Sequence, residues 1–228
     1  TTKMQRTSDE YGITIIDLLE HNEISHNEIK DAIISSVVPN VMHSLCSGMI
    51  KYFGIQPMVV EPGVKTGIRI TSENPAQIGA DRIVDAVGAY ELYGGPVVVI
   101  DYGTATTYDF INGNGDFFAG VTSPGIRISA KALWEDAAKL PEIEIKKPST
   151  ILARETISSM QAGLIFGQIG QTEYIVKNMI KESGLKDVKV VATGGLGKII
   201  ANETKYIQYY NPTLTLEGMR LIYAKQKR

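Results

Sequence analysis

The sequence predicts an α/β fold in which sheets are flanked by helices. Apolar runs of strand length alternate along the chain with longer stretches that repeat apolar residues at helical spacing. The clearest strand is the run 97–100, which is apolar throughout and typical of a strand buried on both faces. The clearest helix is the long stretch 156–183. Three consecutive strands around the first of these runs predict a sheet with antiparallel neighbours.

The N-terminal part of the chain predicts two helices and three short strands. Ser8, Asp9 and Glu10 precede apolar residues at helical spacing, which predicts an N-capped helix of about three turns. A second helix is predicted over 41–53, ending at Gly54. Strands are predicted over 32–38, 58–60 and 68–70, and Pro39 is expected to end the first of them.

The strand 97–100 leads into a polar turn and then into a second strand near Tyr108 and Phe110. Gly103 permits a tight turn at this point. Amides and hydroxyls can donate hydrogen bonds to phosphate oxygens, and a carboxylate can hold a cation beside them. The turn is therefore a candidate site for the polyphosphate of a nucleotide, although an ordinary hairpin with a Thr-rich second strand is the alternative. The polar side chains are those of Asp101, Thr104, Thr106 and Thr107.

A second candidate site lies at the predicted start of a helix. Pro75 and Gly79 bound a loop, and apolar residues at helical spacing follow from Ile83. Asp81 and Arg82 are therefore predicted at or just before a helix N-terminus, where free amides and the helix dipole favour anions. The alternative is that Asp81 is only the N-cap and Arg82 only a surface cation.

The C-terminal half continues the alternation of strands and helices. A third strand is predicted over 117–121, a helix over 126–140, a strand over 188–192 and a final helix over 214–227. In the long helix 156–183, small residues at spacings of three and four predict a close helix contact within the chain or between subunits. Gly194 and Gly195 follow a strand and precede a helix, so their backbone amides can approach a ligand.

Composition limits the possible functions. The 228 residues carry a net charge of −2, which argues against nucleic acid as the main partner, because phosphate backbones require a basic surface. The single cysteine, Cys46, excludes an internal disulfide and a multi-cysteine metal site. No apolar run approaches the length of a membrane span. The chain does not begin with Met, so we expect it to begin inside a longer protein.

Five motifs in order resemble type III pantothenate kinase, and the resemblance covers the chain from Thr7 to the last helix. It implies two related actin-like (ribonuclease H-like) domains with mixed sheets flanked by helices, over 1–90 and 91–228, with the active site in the cleft between them. It also implies ATP-dependent phosphorylation of pantothenate to 4′-phosphopantothenate, the first step of coenzyme A biosynthesis, by a cytoplasmic homodimer. The motifs are the segments 35–39, 79–82, 101–107, 123–125 and 193–195.

The same resemblance implies a role for individual residues. Asp81 would be the general base that takes the proton of the pantothenate hydroxyl, which fits a carboxylate placed to orient the attacking oxygen. Arg82 would pair with the pantothenate carboxylate, and Gly194 and Gly195 would lie on the adenosine side. Thr104 would contact ATP phosphate. Asp101 would hold a monovalent cation, K⁺ or NH₄⁺, beside Mg²⁺–ATP. The residues that bind pantothenate would be Gly79, Ala80, Asp81, Arg82 and Thr156.

One departure from the family is evident. The family opens with a strand and an Asp-x-Gly-Asn-Thr phosphate loop, which this sequence lacks; on the order of 30 residues of strand and turn would be missing. We therefore expect the 228-residue chain alone to bind ATP poorly and to turn over slowly or not at all. Two other functions stay open: a sugar or polyphosphate kinase or phosphatase of the same superfold, and a non-catalytic accessory factor for transcription.

Overall fold

The computed structural model describes residues 6–61 and 63–227. Within these residues the chain forms seven α-helices and eight β-strands. The helices are α1 (Ser8–His21), α2 (Pro39–Phe53), α3 (Ala80–Tyr93), α4 (Ile126–Asp136), α5 (Thr156–Ser183), α6 (Gly197–Ala201) and α7 (Leu214–Gln226). The strands are β1 (Ile33–Ile34), β2 (Met58–Val59), β3 (Arg69–Ile70), β4 (Val97–Tyr102), β5 (Ala105–Ile111), β6 (Asp116–Pro124), β7 (Lys189–Thr193) and β8 (Tyr209–Tyr210).

The strands form two sheets. The larger one has six strands in the order β3-β6-β5-β4-β7-β8, and the smaller one pairs β1 with β2 in parallel. The neighbours β4, β5 and β6 are antiparallel, whereas β3, β7 and β8 join the sheet in parallel. The predicted α/β architecture, with mixed sheets flanked by helices, is therefore confirmed.

Alternation along the central strand β4 explains how helices cover both faces of the large sheet. Val98 and Ile100 pack with Ile165 of α5 on one face. Val97 and Val99 pack with α3 and α7 on the other face. Because successive side chains of a strand point to opposite faces, a continuous apolar run needs cover on both sides. Asp101 has the same parity as Val97 and Val99, so it is directed toward α3.

The first two helices form a pair whose ends follow the expected local chemistry. Thr7 caps α1 in a capping box with Glu10, and Gly54 ends α2 in the left-handed conformation at φ +67°. Pro39 lies in the first turn of α2, where its missing N–H costs no hydrogen bond. The strand predicted over 32–38 is therefore shorter than expected, and Pro39 begins a helix where it was expected only to end a strand.

Helix α3 connects the N-terminal segments to the large sheet. It runs unbroken through residue 90, where the resemblance puts the boundary between two domains. Strand β3, which precedes that boundary, pairs with β6 of the large sheet. Division into domains 1–90 and 91–228 stays a prediction. Among the described residues, no helix is long and apolar enough to cross a membrane.

Candidate active site

Four carboxylates lie between the start of α3 and the face of the large sheet that α3 covers. Asp81 and Asp85 are one turn apart on α3, Asp101 is the next-to-last residue of β4, and Asp109 lies on β5. The charges of these groups influence one another's pKa values, which places them in one electrostatic cluster. The cluster therefore unites the two sites that the sequence predicted separately. We call these four residues the aspartate cluster.

The start of α3 presents Asp81 without using it as a cap. Gly79 is the N-cap residue, and the Oδ1 atom of Asp81 accepts a 2.9 Å hydrogen bond from the backbone N–H of Arg82. A Cβ on Gly79 would lie only 2.5 Å from Oδ1 of Asp81 and 3.0 Å from Val37. The interpretation of Asp81 as a mere N-cap is therefore wrong, and the close approach explains why glycine occupies position 79.

Arg82 is paired with a buried carboxylate that the sequence did not single out. Its Nε atom lies 3.1 and 3.2 Å from the two carboxylate oxygens of Asp109, and its Nη2 atom also donates to Oδ1. The Asp109 side chain is 2% exposed and that of Arg82 is 22% exposed. Burial raises the pKa of Asp109, and the charge of Arg82 opposes that rise. The alternative interpretation of Arg82 as a surface cation is therefore wrong.

Burial and like charges make two members of the cluster weak acids. Burial raises the pKa of Asp101 to about 6, and the negative charges of Asp81 and Asp109 add to the effect. Burial likewise raises the pKa of Asp85 to about 7, although a 2.6 Å hydrogen bond from Thr215 of α7 opposes the rise. The cluster therefore carries less negative charge near neutral pH than four exposed aspartates would.

The glycine turn after β7 lies directly against Asp101. Gly194 has φ +92°, and a Cβ there would lie 2.6 Å from Oδ1 of Asp101 and 2.7 Å from the backbone of Tyr102. The hydroxyl of Tyr210 donates a 3.0 Å hydrogen bond to the carbonyl oxygen of Gly194 and holds the turn in place. Gly195 lies in open space at the surface. The predicted adenosine-side turn and the predicted cation ligand are therefore neighbours.

The two predicted threonine contacts lie at the surface. Thr104 is exposed at the tip of the β4–β5 turn, which packs closely against Gly125 at the start of α4. Thr156 is exposed as the first residue of α5. No hydrogen bond within the described residues links either side chain to the aspartate cluster. Their roles as ATP and pantothenate contacts stay predictions.

The aspartate cluster does not form a multi-ligand metal site. In residues 6–61 and 63–227, no group of three or more His, Cys, Asp and Glu side chains could hold one. Asp101 is the one member of the aspartate cluster whose carboxylate accepts no hydrogen bond from a described residue, since Asp81 accepts one from the backbone N–H of Arg82, Asp85 one from Thr215 and Asp109 those of Arg82. A lone carboxylate carries a single negative charge, so it compensates a singly charged cation better than a divalent one. The chemistry of Asp101 is therefore compatible with the predicted monovalent cation, whose binding there stays a prediction.

Comparison with known proteins gives consistent results for almost the whole chain. A family model described as type III pantothenate kinase matches residues 1–178. A protein from Agathobacter rectalis named type III pantothenate kinase is 67% identical over 228 residues, which are 100% of this chain and 88% of that protein. A protein of the same name from Bacillus cytotoxicus is 51% identical over 224 residues, 98% of this chain and 85% of that protein.

A solved structure shares the fold. It is a Campylobacter jejuni protein described as a conserved Baf family transcriptional activator, with a TM-score of 0.59 and 21% sequence identity. The match covers 93% of this chain and 88% of that one. At this identity the likeness supports the fold alone.

Proposed function

The chain belongs to the type III pantothenate kinase family, and from this we propose that it phosphorylates pantothenate with ATP as the first step of coenzyme A biosynthesis. The reaction joins the primary hydroxyl oxygen of pantothenate to the γ-phosphorus of ATP. The bond between that phosphorus and the β,γ-bridging oxygen breaks, and the products are 4′-phosphopantothenate, ADP and a proton. The observation that carries the proposal is the aspartate cluster, whose member Asp81 lies in the segment 79–82 at the start of α3.

Asp81 acts as the general base in this proposal. Its carboxylate is half-buried at the first turn of α3 and has Oδ1 held by the N–H of Arg82. That hydrogen bond fixes the carboxylate while Oδ2 is left to accept the proton of the substrate hydroxyl. Phosphoryl transfer depends chiefly on positioning and charge stabilisation, so a carboxylate of fixed direction is the feature the reaction requires.

Pantothenate lies along the start of α3 in this proposal. Gly79 and Ala80 form the wall beside the substrate, and Arg82 pairs with the substrate carboxylate through a charge-assisted hydrogen bond. Thr156 contributes a second contact from the start of α5. The N-terminus of α3 supports this placement, because free backbone amides and the helix dipole favour a bound anion.

ATP lies on the side of the β4–β5 turn. Thr104 donates to a phosphate oxygen, the turn at Gly194 and Gly195 lies along the adenosine, and Asp101 holds K⁺ or NH₄⁺ beside the phosphates. Mg²⁺ bound with ATP neutralises charge on the β- and γ-phosphates. The position of Asp101 against Gly194 supports this arrangement, because it puts the cation ligand next to the nucleotide turn.

The larger organisation follows the family resemblance. We infer two actin-like domains, 1–90 and 91–228, with the aspartate cluster in the cleft between them. A homodimer is supported by α5, where a Cβ on Gly163, Gly167 or Gly170 would meet no described atom within 4 Å. The predicted contact of these glycines with a helix of the same chain is therefore not found among the described residues. Because ATP is the phosphoryl donor, we place the reaction in the cytoplasm.

The experiment that tests the function is an ATP-consumption assay on the chain completed with the N-terminal strand and phosphate loop of the family. ADP formation is coupled to NADH oxidation and measured with and without pantothenate, in KCl and in choline chloride at equal ionic strength. The proposal predicts ADP formation that requires pantothenate and is stimulated by K⁺. ADP formation that is independent of pantothenate would contradict it, as would an absence of any ADP formation, the result expected of a non-catalytic accessory protein.

A further inference from the structure

The guanidinium group of Arg82 is held on three sides. Asp109 accepts hydrogen bonds from Nε and Nη2. The ring of Phe117 lies 5.6 Å from the Cζ atom of Arg82, a distance typical of a cation–π contact. Gly120 lies opposite Asp109 on β6, and a Cβ there would collide with Nη2 of Arg82 and lie 2.8 Å from Oδ1 of Asp109. The guanidinium therefore has little freedom to turn.

This arrangement leaves one edge of the guanidinium available. Nε and Nη2 are occupied by Asp109, whereas Nη1 donates no hydrogen bond to any described residue. The Arg82 side chain keeps 22% of its surface exposed, although its partner is almost fully buried. A guanidinium is a planar fork with five N–H donors, so fixing one edge also fixes the direction of the other.

We propose that Asp109 is a positioning residue that fixes the guanidinium of Arg82 so that its Nη1 edge faces the carboxylate of the substrate. The inference rests on the proposed function, in which Arg82 pairs with that carboxylate. Asp109 acts through Arg82 and touches neither substrate nor the reacting atoms.

Stabilisation of the fold does not by itself explain the buried ion pair between Arg82 and Asp109. Burying an ion pair costs desolvation energy that the attraction between the charges often fails to recover. Here the carboxylate of Asp109 is buried, while the guanidinium of Arg82 keeps an exposed edge at the start of α3. Glycine at 120 is explained on the same basis, because only a residue without Cβ leaves room for Nη2.

The test compares two ligands and two variants by titration calorimetry. The ligands are pantothenate and its alcohol analogue, in which a hydroxymethyl group replaces the carboxylate. Asp109→Asn removes the charge that holds Arg82. Gly120→Ala retains both charges but displaces Nη2, and alanine is compatible with the strand because Gly120 is exposed and does not have a left-handed φ. Asp116→Asn breaks the Arg69–Asp116 pair at the start of β6 and serves as the matched control.

We expect Asp109→Asn to raise the Kd for pantothenate about tenfold, the size of one lost charge-assisted hydrogen bond. Gly120→Ala should raise it severalfold, and both variants should leave the Kd for the alcohol within about twofold. A variant whose defect is only structural would bind both ligands more weakly, by a similar factor. Asp116→Asn should change neither Kd. Thermal melting identifies any variant that fails to fold, and Gly120→Ala carries the test if Asp109→Asn is one of these.

The outcomes separate this inference from the function on which it rests. If the parent protein binds both ligands equally, the pairing of Arg82 with the substrate carboxylate is wrong. Binding of neither ligand would contradict the proposed function itself. If the parent prefers pantothenate and the folded variants keep that preference, Asp109 is not a positioning residue.

Discussion

Gly194 places its backbone so close to Asp101 that a Cβ at this position would lie 2.6 Å from Oδ1 of the carboxylate. The glycine also has φ +92°, a conformation that residues with a side chain rarely adopt. The turn after β7 and the end of β4 therefore form one compact unit, which neighbouring strand pairing between Asp101 and Thr193 supports. Any ligand held by this turn is next to the carboxylate of Asp101.

Replacement of Gly194 by alanine should disrupt this unit. We expect Gly194→Ala to lower the free energy of unfolding by at least about 2 kcal/mol, because it adds both a strained φ and a close contact. Gly195→Ala is the matched control, since a Cβ there meets nothing within 4 Å, and it should cost less than about 0.5 kcal/mol. Urea unfolding measures both variants. Equal losses of stability at the two positions would contradict this account of the turn.

The buried carboxyl of Asp85 should make stability depend on pH. Its pKa in the folded protein is raised to about 7, above the ordinary value of 3.8, so the folded state holds a proton that the unfolded state releases between these values. The protein should therefore lose stability as pH rises from about 4 to about 7. Asp85→Asn mimics the neutral carboxyl and should remove part of this loss, raising the free energy of unfolding at pH 8 by about 2 kcal/mol.

The measurement is urea unfolding of the parent protein and Asp85→Asn at pH 5 and pH 8. The advantage of Asp85→Asn over the parent should be larger at pH 8 than at pH 5, because most of the parent's loss lies between these two values. Asp17→Asn, at an exposed position of α1, is the control and should follow the parent at both values. If Asp85→Asn loses as much stability as the parent between pH 5 and pH 8, Asp85 does not carry the proton.

A cation bound at Asp101 should be lost at acid pH. The pKa of Asp101 is about 6 in the absence of a cation, and a protonated carboxyl cannot hold K⁺. Below pH 6 the K⁺ concentration needed for half-saturation should therefore rise, approaching tenfold for each pH unit. Thermal melting in KCl and in choline chloride at equal ionic strength measures the K⁺-specific rise in Tm at pH 5 and pH 7.5.

Asp101→Asn tests whether the carboxylate itself is the ligand. We expect this variant to lose the K⁺-specific rise in Tm at both pH values, whereas Asp17→Asn should retain it. A rise in Tm that persists in Asp101→Asn, or that saturates at the same K⁺ concentration at pH 5 and pH 7.5, would show that the cation is not held by Asp101.

The regular elements of the fold were predictable because their signals are local. The limits of α5 match the predicted helix 156–183, and the apolar run 97–100 lies in β4 with cover on both faces. Helical spacing and buried strands leave a pattern within a few residues. The two-residue strand β8 has no such pattern, since it exists through pairing with β7. The sequence alone therefore could not predict it.

The site was predictable only in part, for a similar reason. The Asp81 and Asp101 segments carry recognisable motifs, and the structure brings their charges together. Asp109 lies outside these motifs, and its partner, Arg82, lies 27 positions away in the chain. A signal was present, however: an aspartate between Tyr108 and Phe110 interrupts an apolar strand, and a buried carboxylate needs a partner. Only the fold identifies which arginine that partner is.

In the proposed function, Asp81 takes the proton of the pantothenate hydroxyl during phosphoryl transfer. Asp81→Asn retains the size and polarity of the side chain but cannot accept that proton, so its fold and its Kd for pantothenate should be close to those of the parent. The direct measurement is kcat for formation of 4′-phosphopantothenate by Asp81→Asn, beside the parent and Asp17→Asn. We predict a loss of at least about 100-fold in Asp81→Asn, the lower range for a general base, and no loss in Asp17→Asn. A kcat within about twofold of the parent would show that Asp81 is not the base.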